Sequence, residues 1–155
     1  MVDGVRIAEA RDRDTLLRLM KEFYAETETP FDAEQTAQAF DTILGDERIG
    51  RVWVLTRSGS VAGYAVMTVG FSMEYGGRDA FLDDLFVRKA HRGFGLGRLA
   101  IEVILDECRK LGVRALHLEV DRQNAVAKEL YHRFGFVDHD RQLMTVTIDT
   151  HRHAF

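Results

Sequence analysis

The sequence predicts a mixed α/β (α+β) fold, a sheet of about seven strands with helices on its faces. Two observations carry this. Some β-rich runs stand in pairs across a short turn, as hairpins do, while others are joined through stretches of helical period, as crossovers are. The order along the chain reads β-α-α-β-β-β-α-β-α-β-β. A sheet with both kinds of connection has antiparallel and parallel neighbours and buries its faces under helices. At 155 residues, 46% hydrophobic and 30% charged, the chain suits one domain over residues 1–155 around one core. It shows no repeat, linker or low-complexity tract.

Each element has its own signal. "VRIAEA" reads as a first strand. "DRDTLLRLMKEFYAE" places Leu16, Leu19, Met20, Phe23 and Tyr24 at helical spacing, and Pro30 breaks that helix. Asp32 opens a second helix, with Gln35 at the capping-box position and Ala37, Phe40, Ile43 and Leu44 as its apolar stripe. "RVWVLTR" and "VAGYAVMTVGF", parted by "SGS", form a hairpin, and "AFLDDLFV" is a further strand. "LGRLAIEVILDECRKLG" puts Leu96, Leu99, Ala100, Val103, Ile104, Cys108 and Leu111 on one face, with Gly112 as C-cap. "VRALHLEV" is a strand and "NAVAKELYHRFG" a shorter helix. "FVDHD" and "QLMTVTID" are the last strands, and "THRHAF" is a loose tail with His151 and His153 solvated.

Composition excludes several classes. A net charge of −4 carries no electrostatic footprint for nucleic acid. One cysteine, Cys108, excludes an internal disulfide and a cysteine-based zinc site, and its neighbours make it a core thiol. The six histidines show no metal spacing, so no metal is expected. The first ten residues hold no signal-type apolar stretch and no run is long enough to span a membrane, so a cytoplasmic protein is expected.

"HRGFGLGRLA" is the most informative stretch. Gly93, Gly95 and Gly97 alternate between a strand and a helix. A helix N-terminus offers unpaired N–H groups and the positive end of the dipole, and glycines let backbone approach a phosphate. Arg92 adds a positive side chain. The P-loop pattern fails because Arg98 and Leu99 follow Gly97. The dinucleotide pattern fails because Arg98 and Ala100 stand where it needs glycine.

The pattern present is R-x-x-G-x-G: Arg92, Gly93, Phe94, Gly95, Leu96, Gly97. "LDDLFV" precedes it. Downstream, "LEVDRQNAVAKELYHRFGF" carries Asn124, then Tyr131 seven positions on, then Gly135 and Phe136. On these motifs the sequence resembles the GNAT superfamily of acetyl-CoA-dependent N-acetyltransferases over about residues 5 to 148. The resemblance implies a mostly antiparallel, twisted sheet whose central strands splay apart. It also implies acetyl-CoA as cosubstrate, with its pyrophosphate on the amides of Gly93, Phe94, Gly95, Leu96, Gly97 and Arg98. Pantetheine would pair with the backbone of Leu85, Phe86 and Val87, and Asn124, Ala127 and Tyr131 would also meet the coenzyme.

Acetyl transfer needs an unprotonated amine and a proton for the departing thiolate. The resemblance makes Tyr131 the acid, although its spacing also suits a core aromatic on the stripe Val126, Ala127, Leu130, Tyr131 and Phe134. Asp83 and Glu119 are candidate bases, carboxylates inside apolar runs where burial raises a pKa. Asp83 stands where polyamine acetyltransferases of the family carry a glutamate. Being shorter, it needs a bridging water. Glu119 resembles the base position of enzymes acting on ribosomal-protein N-termini. Either carboxylate can also serve as a strand residue paired with an arginine or an amide, and alternation sends Asp84 to the opposite face from Asp83 in a structural role. Asn124 caps its helix.

The acceptor side falls on "EFYAETETPFD" and "FSMEYGGRD". Glu22, Glu26, Glu28, Asp32 and Glu74 make it acidic, with Tyr24, Phe31 and Tyr75 interleaved, which suits a cationic small-molecule or peptide amine. A catalytically silent coenzyme-A-binding sensor on the same fold, and a binder of another phosphate ligand at the glycine turn, are the alternatives. The alternating edge of "QLMTVTI" would be exposed in a monomer, so a homodimer is expected.

Overall fold

Side-chain alternation along three long strands decides the architecture. In β2 (Gly50–Arg57), Val52 and Val54 turn to one face, Trp53 and Leu55 to the other. β3 (Ser60–Ser72) and β4 (Gly77–Val87) repeat the division. The strands are buried on both sides, which is why they read as continuous apolar runs rather than as a solvated sheet. The structure, a computed structural model, describes residues 4–148. The chain forms two compact units, residues 1–119 and 120–155.

In the first unit five strands stand in the order β1-β2-β3-β4-β5, with β1 at Gly4–Ile7 and β5 at Ala115–His117. The first four are antiparallel neighbours, and β5 lies parallel to β4. Ser58 (φ 53°) and Gly59 (φ 76°) close the β2–β3 hairpin, the left-handed pair that a two-residue turn between twisted strands needs.

Helices α1 (Arg13–Glu26) and α2 (Ala33–Leu44) cover one face, where Leu16, Leu19 and Phe40 meet Val52, Val54, Tyr64, Val66 and Phe86. α3 (Leu96–Leu111) covers the other, bringing Ile104 and Cys108 against Trp53, Ala65, Met67, Ala80 and Leu82. Cys108 is the expected core thiol, its Sγ 3.5 Å from the Met67 sulfur, and burial pushes it up to about 11. Asp32 caps α2 by accepting from the Gln35 amide at 3.0 Å. At the start of α1 the expected first strand stops at Ile7, and a 3-10 turn over Ala10–Asp12 follows. There Asp12 takes both guanidinium nitrogens of Arg6 at 2.9 Å and the Glu9 amide at 2.8 Å, which draws the chain off the sheet edge and into the helix.

The second unit holds α4 (Ala125–Arg133). The sheet has five strands rather than about seven: the strands expected over residues 136–140 and 142–149 are absent among the described residues. A strand exists only through the ladder it makes with a neighbour. Residues 136–148 make none, and Val137, Leu143, Met144, Val146 and Ile148 stay exposed. Their alternation records strand propensity, which becomes a strand only through a ladder with a neighbouring strand. His151 and His153 lie outside the described residues. Among the described residues no helix is long and apolar enough to cross a membrane, and no group of three or more His, Cys, Asp or Glu could hold a metal ion.

Candidate active site

The central feature is the parting of β4 from β5. The two strands pair over three positions, Asp79 with Ala115, Ala80 with Leu116 and Phe81 with His117. Beyond Phe81, β4 runs on to Val87 without β5, while β3 follows it along its other edge. Between Leu82 and Val87 the outward main-chain groups on the β5 side, apart from the Val87 carbonyl that Arg92 occupies, have no strand partner among the described residues, an edge at which a ligand can pair like a strand. Leu85, Phe86 and Val87, to which the family resemblance assigns that role, lie on this stretch.

β4 also carries a bulge. Leu82 pairs with Met67 and Asp84 with Val66, so Asp83 has no partner. The extra residue flips the alternation. Leu82 packs beneath α3, while Asp84 and Phe86 turn toward α1 and α2. Asp83 is exposed at the bulge. Partial desolvation and the charges of Asp84 and Glu119 raise its carboxyl above the ordinary range. Asp83, on β4, and Glu119, two residues past the end of β5, thus share one electrostatic neighbourhood just beyond the separation of the strands.

Asp84 has company that the sequence did not announce. Its Oδ2 accepts from the Tyr64 hydroxyl at 2.7 Å and its Oδ1 from Tyr24 at 3.5 Å. Burial raises the carboxyl, and the two phenols pull the other way. In return the Tyr24 phenol is pushed up to about 12, first by burial and then by Asp84, and Tyr64 rises further for the same causes.

The glycine turn has the geometry of a backbone cradle. Gly93 (φ 84°) and Gly95 (φ 81°) are both left-handed, and Gly95 is the N-cap of α3. A Cβ at either position would meet nothing within 4 Å, so dihedral freedom, not space, is what these glycines supply. The Leu99 amide bonds back to Gly95, so Leu96, Gly97 and Arg98 form the first turn, whose amides α3 cannot satisfy. Leu96 itself is buried and anchors that turn to Leu55, Ala62 and Ala100. The Arg92 side chain is shared elsewhere: Nε donates to the Val87 carbonyl at 2.8 Å and Nη2 to Glu26 at 2.6 Å. Phe94 is exposed beneath the Arg57 guanidinium, 3.3 Å from its ring centroid. Arg98 reaches Glu102 at 3.4 Å along the helix.

In the second unit, Asn124 caps α4 as expected, accepting from the Ala127 amide at 3.1 Å. Ala127 and Tyr131 are half-buried. The Tyr131 ring stands edge-on to Phe136 at 5.7 Å, and burial raises its phenol.

The acidic acceptor region is less acidic than the sequence suggests. Glu22 pairs with Arg88 at 3.2 Å and Glu26 with Arg92, while Asp32 is engaged as a cap. Tyr24 and Phe31 remain together there, edge to face at 6.3 Å. Sequence reasoning also missed His117 and Asp79, 3.2 Å apart across β5 and β4. The available signal was alternation: His117 stands two residues before Glu119, on the same side of the strand.

The chain belongs to the acetyltransferase (GNAT) family, whose model matches residues 14–136. It is similar to the Escherichia coli alanine N-acetyltransferase of ribosomal protein bS18, 37% identical over 82 residues, which are 53% of this chain and 51% of that one. It is also similar to the Salmonella typhimurium L-methionine sulfoximine/L-methionine sulfone acetyltransferase, 34% identical over 85 residues, 55% and 49% of the two chains. The chain thus spans about half the length of the curated relatives it matches. Among solved structures, an integron cassette protein from the mobile metagenome of Cole Harbour Salt Marsh superposes with a TM-score of 0.85 at 39% identity, over 94% of this chain and 91% of that one.

Proposed function

We propose that this protein is an N-acetyltransferase that moves an acetyl group from acetyl-CoA to a primary amine in a ternary complex. The observation that carries this reading is the parting of β4 from β5 past Phe81 and His117, with the Asp83 bulge just beyond it and the Gly93–Gly97 turn at the end of the same strand. The residues present fit the coenzyme. Main-chain groups of Leu85, Phe86 and Val87 stand without β5, and the amides from Gly93 to Arg98, including the first turn of α3, suit a pyrophosphate. Acetyl-CoA supplies the activated acetyl thioester.

The chain's own groups divide the remaining work. The turn and the β4 edge bind and orient, with Arg57, Phe94 and Arg92 bracing the turn. The family resemblance assigns Asn124, Ala127 and Tyr131 to the coenzyme as well, and makes Tyr131 the group that gives its proton to the departing sulfur. Asp83 and Glu119 hold the incoming ammonium and draw off its proton through a bridging water. Tyr24 and Phe31 line the approach of the acceptor. The two curated relatives are named for a ribosomal-protein alanine and for methionine derivatives, and we assign this protein the same acceptor chemistry, a primary amine on an α-carbon. We also propose that it works in the cytoplasm as a single functional domain and as a homodimer.

The test is acetyl-CoA-dependent thiol release with an alanine-initiated peptide, L-methionine sulfoximine and spermidine as acceptors. The reading expects release with at least one of the α-amines. Tight acetyl-CoA binding with no release above background for any amine would turn the assignment toward a coenzyme sensor.

A further inference from the structure

We infer that His117, aligned by Asp79, is the terminal acceptor of the proton that the substrate ammonium gives up. The inference rests on the acetyl-transfer reading above and adds a residue to it. His117 occupies the last paired position of β5, opposite Phe81, at the point where the two strands part. Leu116 and Leu118 turn into the core beneath α3, which leaves His117 and Glu119 on the opposite face. There the imidazole is held on three sides. Nε2 lies 3.2 Å from Asp79 Oδ2, the Tyr75 ring is 5.6 Å away and the Phe81 ring 6.3 Å.

The pairing with Asp79 selects the tautomer. A carboxylate accepts, so Nε2 carries the hydrogen and Nδ1 keeps its lone pair. No described residue hydrogen-bonds Nδ1. Asp79, itself mostly buried, thus performs for His117 the task of a carboxylate that fixes an imidazole for proton uptake. The groups facing the imidazole are Asp79 on β4 and Tyr75 from the β3–β4 turn, with Asp83 and Glu119 the carboxylates beyond the parting. Imidazole is as a class a stronger base than carboxylate. Asp83 and Glu119 therefore suit capture of the ammonium, and His117 suits keeping the proton.

The step balances. The ammonium N–H bond breaks, its proton passes through water to Nδ1, and the electron pair stays on nitrogen. That pair forms the amide bond as the thioester C–S bond breaks and its electrons go to sulfur. A second N–H proton replaces the one Tyr131 gave to sulfur, and His117 returns its proton to solvent.

The experiment compares wild type with His117→Gln, which keeps a donor toward Asp79 but takes up no proton, and with Asp79→Asn. Single-turnover acetylation of an alanine-initiated peptide and of L-methionine sulfoximine is followed across pH, beside acetyl-CoA affinity. His117→Gln should bind acetyl-CoA within about twofold of wild type and react with the peptide about tenfold slower near neutral pH, where about a tenth of a peptide α-amine is free. Its rate should climb with the free-amine fraction where the wild-type rate levels off, so the deficit closes by about tenfold per pH unit. Asp79→Asn should show the same pH signature in weaker form. A merely structural histidine gives a deficit that does not change with pH. That outcome, or a wild-type rate in folded His117→Gln, overturns the assignment and leaves the acetyl-transfer reading standing. If His117→Gln does not fold, His117→Asn is read in its place, and if neither folds the histidine is structural and the inference fails. No transfer by wild type to any amine defeats both readings, and retained coenzyme binding then identifies the sensor.

Discussion

Asp84 and Tyr131 are the residues at which burial bears most directly on chemistry. Burial holds the Asp84 carboxyl above its ordinary range although two phenols donate to it. A carboxyl whose folded pKa is raised favours the fold below its unfolded range, and that contribution is lost as pH rises through the folded value. Asp84→Asn has no proton to lose there, so its stability should gain on wild type as pH rises from the ordinary carboxylate range, about pH 4, in denaturant melts. A variant that falls further behind wild type over that climb contradicts the sign. Tyr131 packs edge-on to Phe136, so Tyr131→Phe keeps the ring and removes only the hydroxyl. Stability should change by about 1 kcal/mol or less. Acetyl-CoA binding should persist, while single-turnover transfer falls by roughly 10²–10⁴. Single-turnover kinetics are the measurement because slow product release would mask part of the loss. Wild-type rates in this variant would make Tyr131 a core aromatic only.

The glycine turn is the element whose local geometry and proposed task coincide. Gly95 is left-handed and a Cβ there meets nothing within 4 Å, so the main cost expected of Gly95→Val is the dihedral. That strain costs roughly 1–3 kcal/mol and should leave a folded, less stable protein. Acetyl-CoA affinity, followed by titration calorimetry, should be lost, because the branched side chain stands where the amides must meet phosphate. Unchanged affinity in a folded variant would remove the turn from the coenzyme site. The turn, α1, α2, α3 and the hairpin at Ser58 and Gly59 were legible because each is set by local dihedral or periodic signals. The Asp83 bulge was not. It depends on register against Val66 and Met67, a property of two strands together, and alternation alone could not show which way Asp84 turns within the α1 and α2 face. The pairing of Glu22 and Glu26 with Arg88 and Arg92 was equally hidden, since it joins residues 66 positions apart. The segment 136–148 shows the converse: its pattern proclaims strands, but a strand also needs a ladder with a neighbouring strand, and the described residues 136–148 form none.

For the whole molecule, the family match over residues 14–136 fixes the class of fold on which the site is built. The exposed apolar side chains of Leu143, Met144, Val146 and Ile148 favour a second copy as their cover. Light scattering at high micromolar concentration should therefore return twice the mass of one chain, and a monomer mass would contradict the homodimer.

Mass analysis of an alanine-initiated peptide incubated with the protein and acetyl-CoA tests the central claim most directly. Acetylation of the peptide's α-amine, dependent on acetyl-CoA and abolished by Gly95→Val, is the result predicted. An unmodified peptide, together with unmodified L-methionine sulfoximine and spermidine, at concentrations where acetyl-CoA saturates the protein, would contradict it.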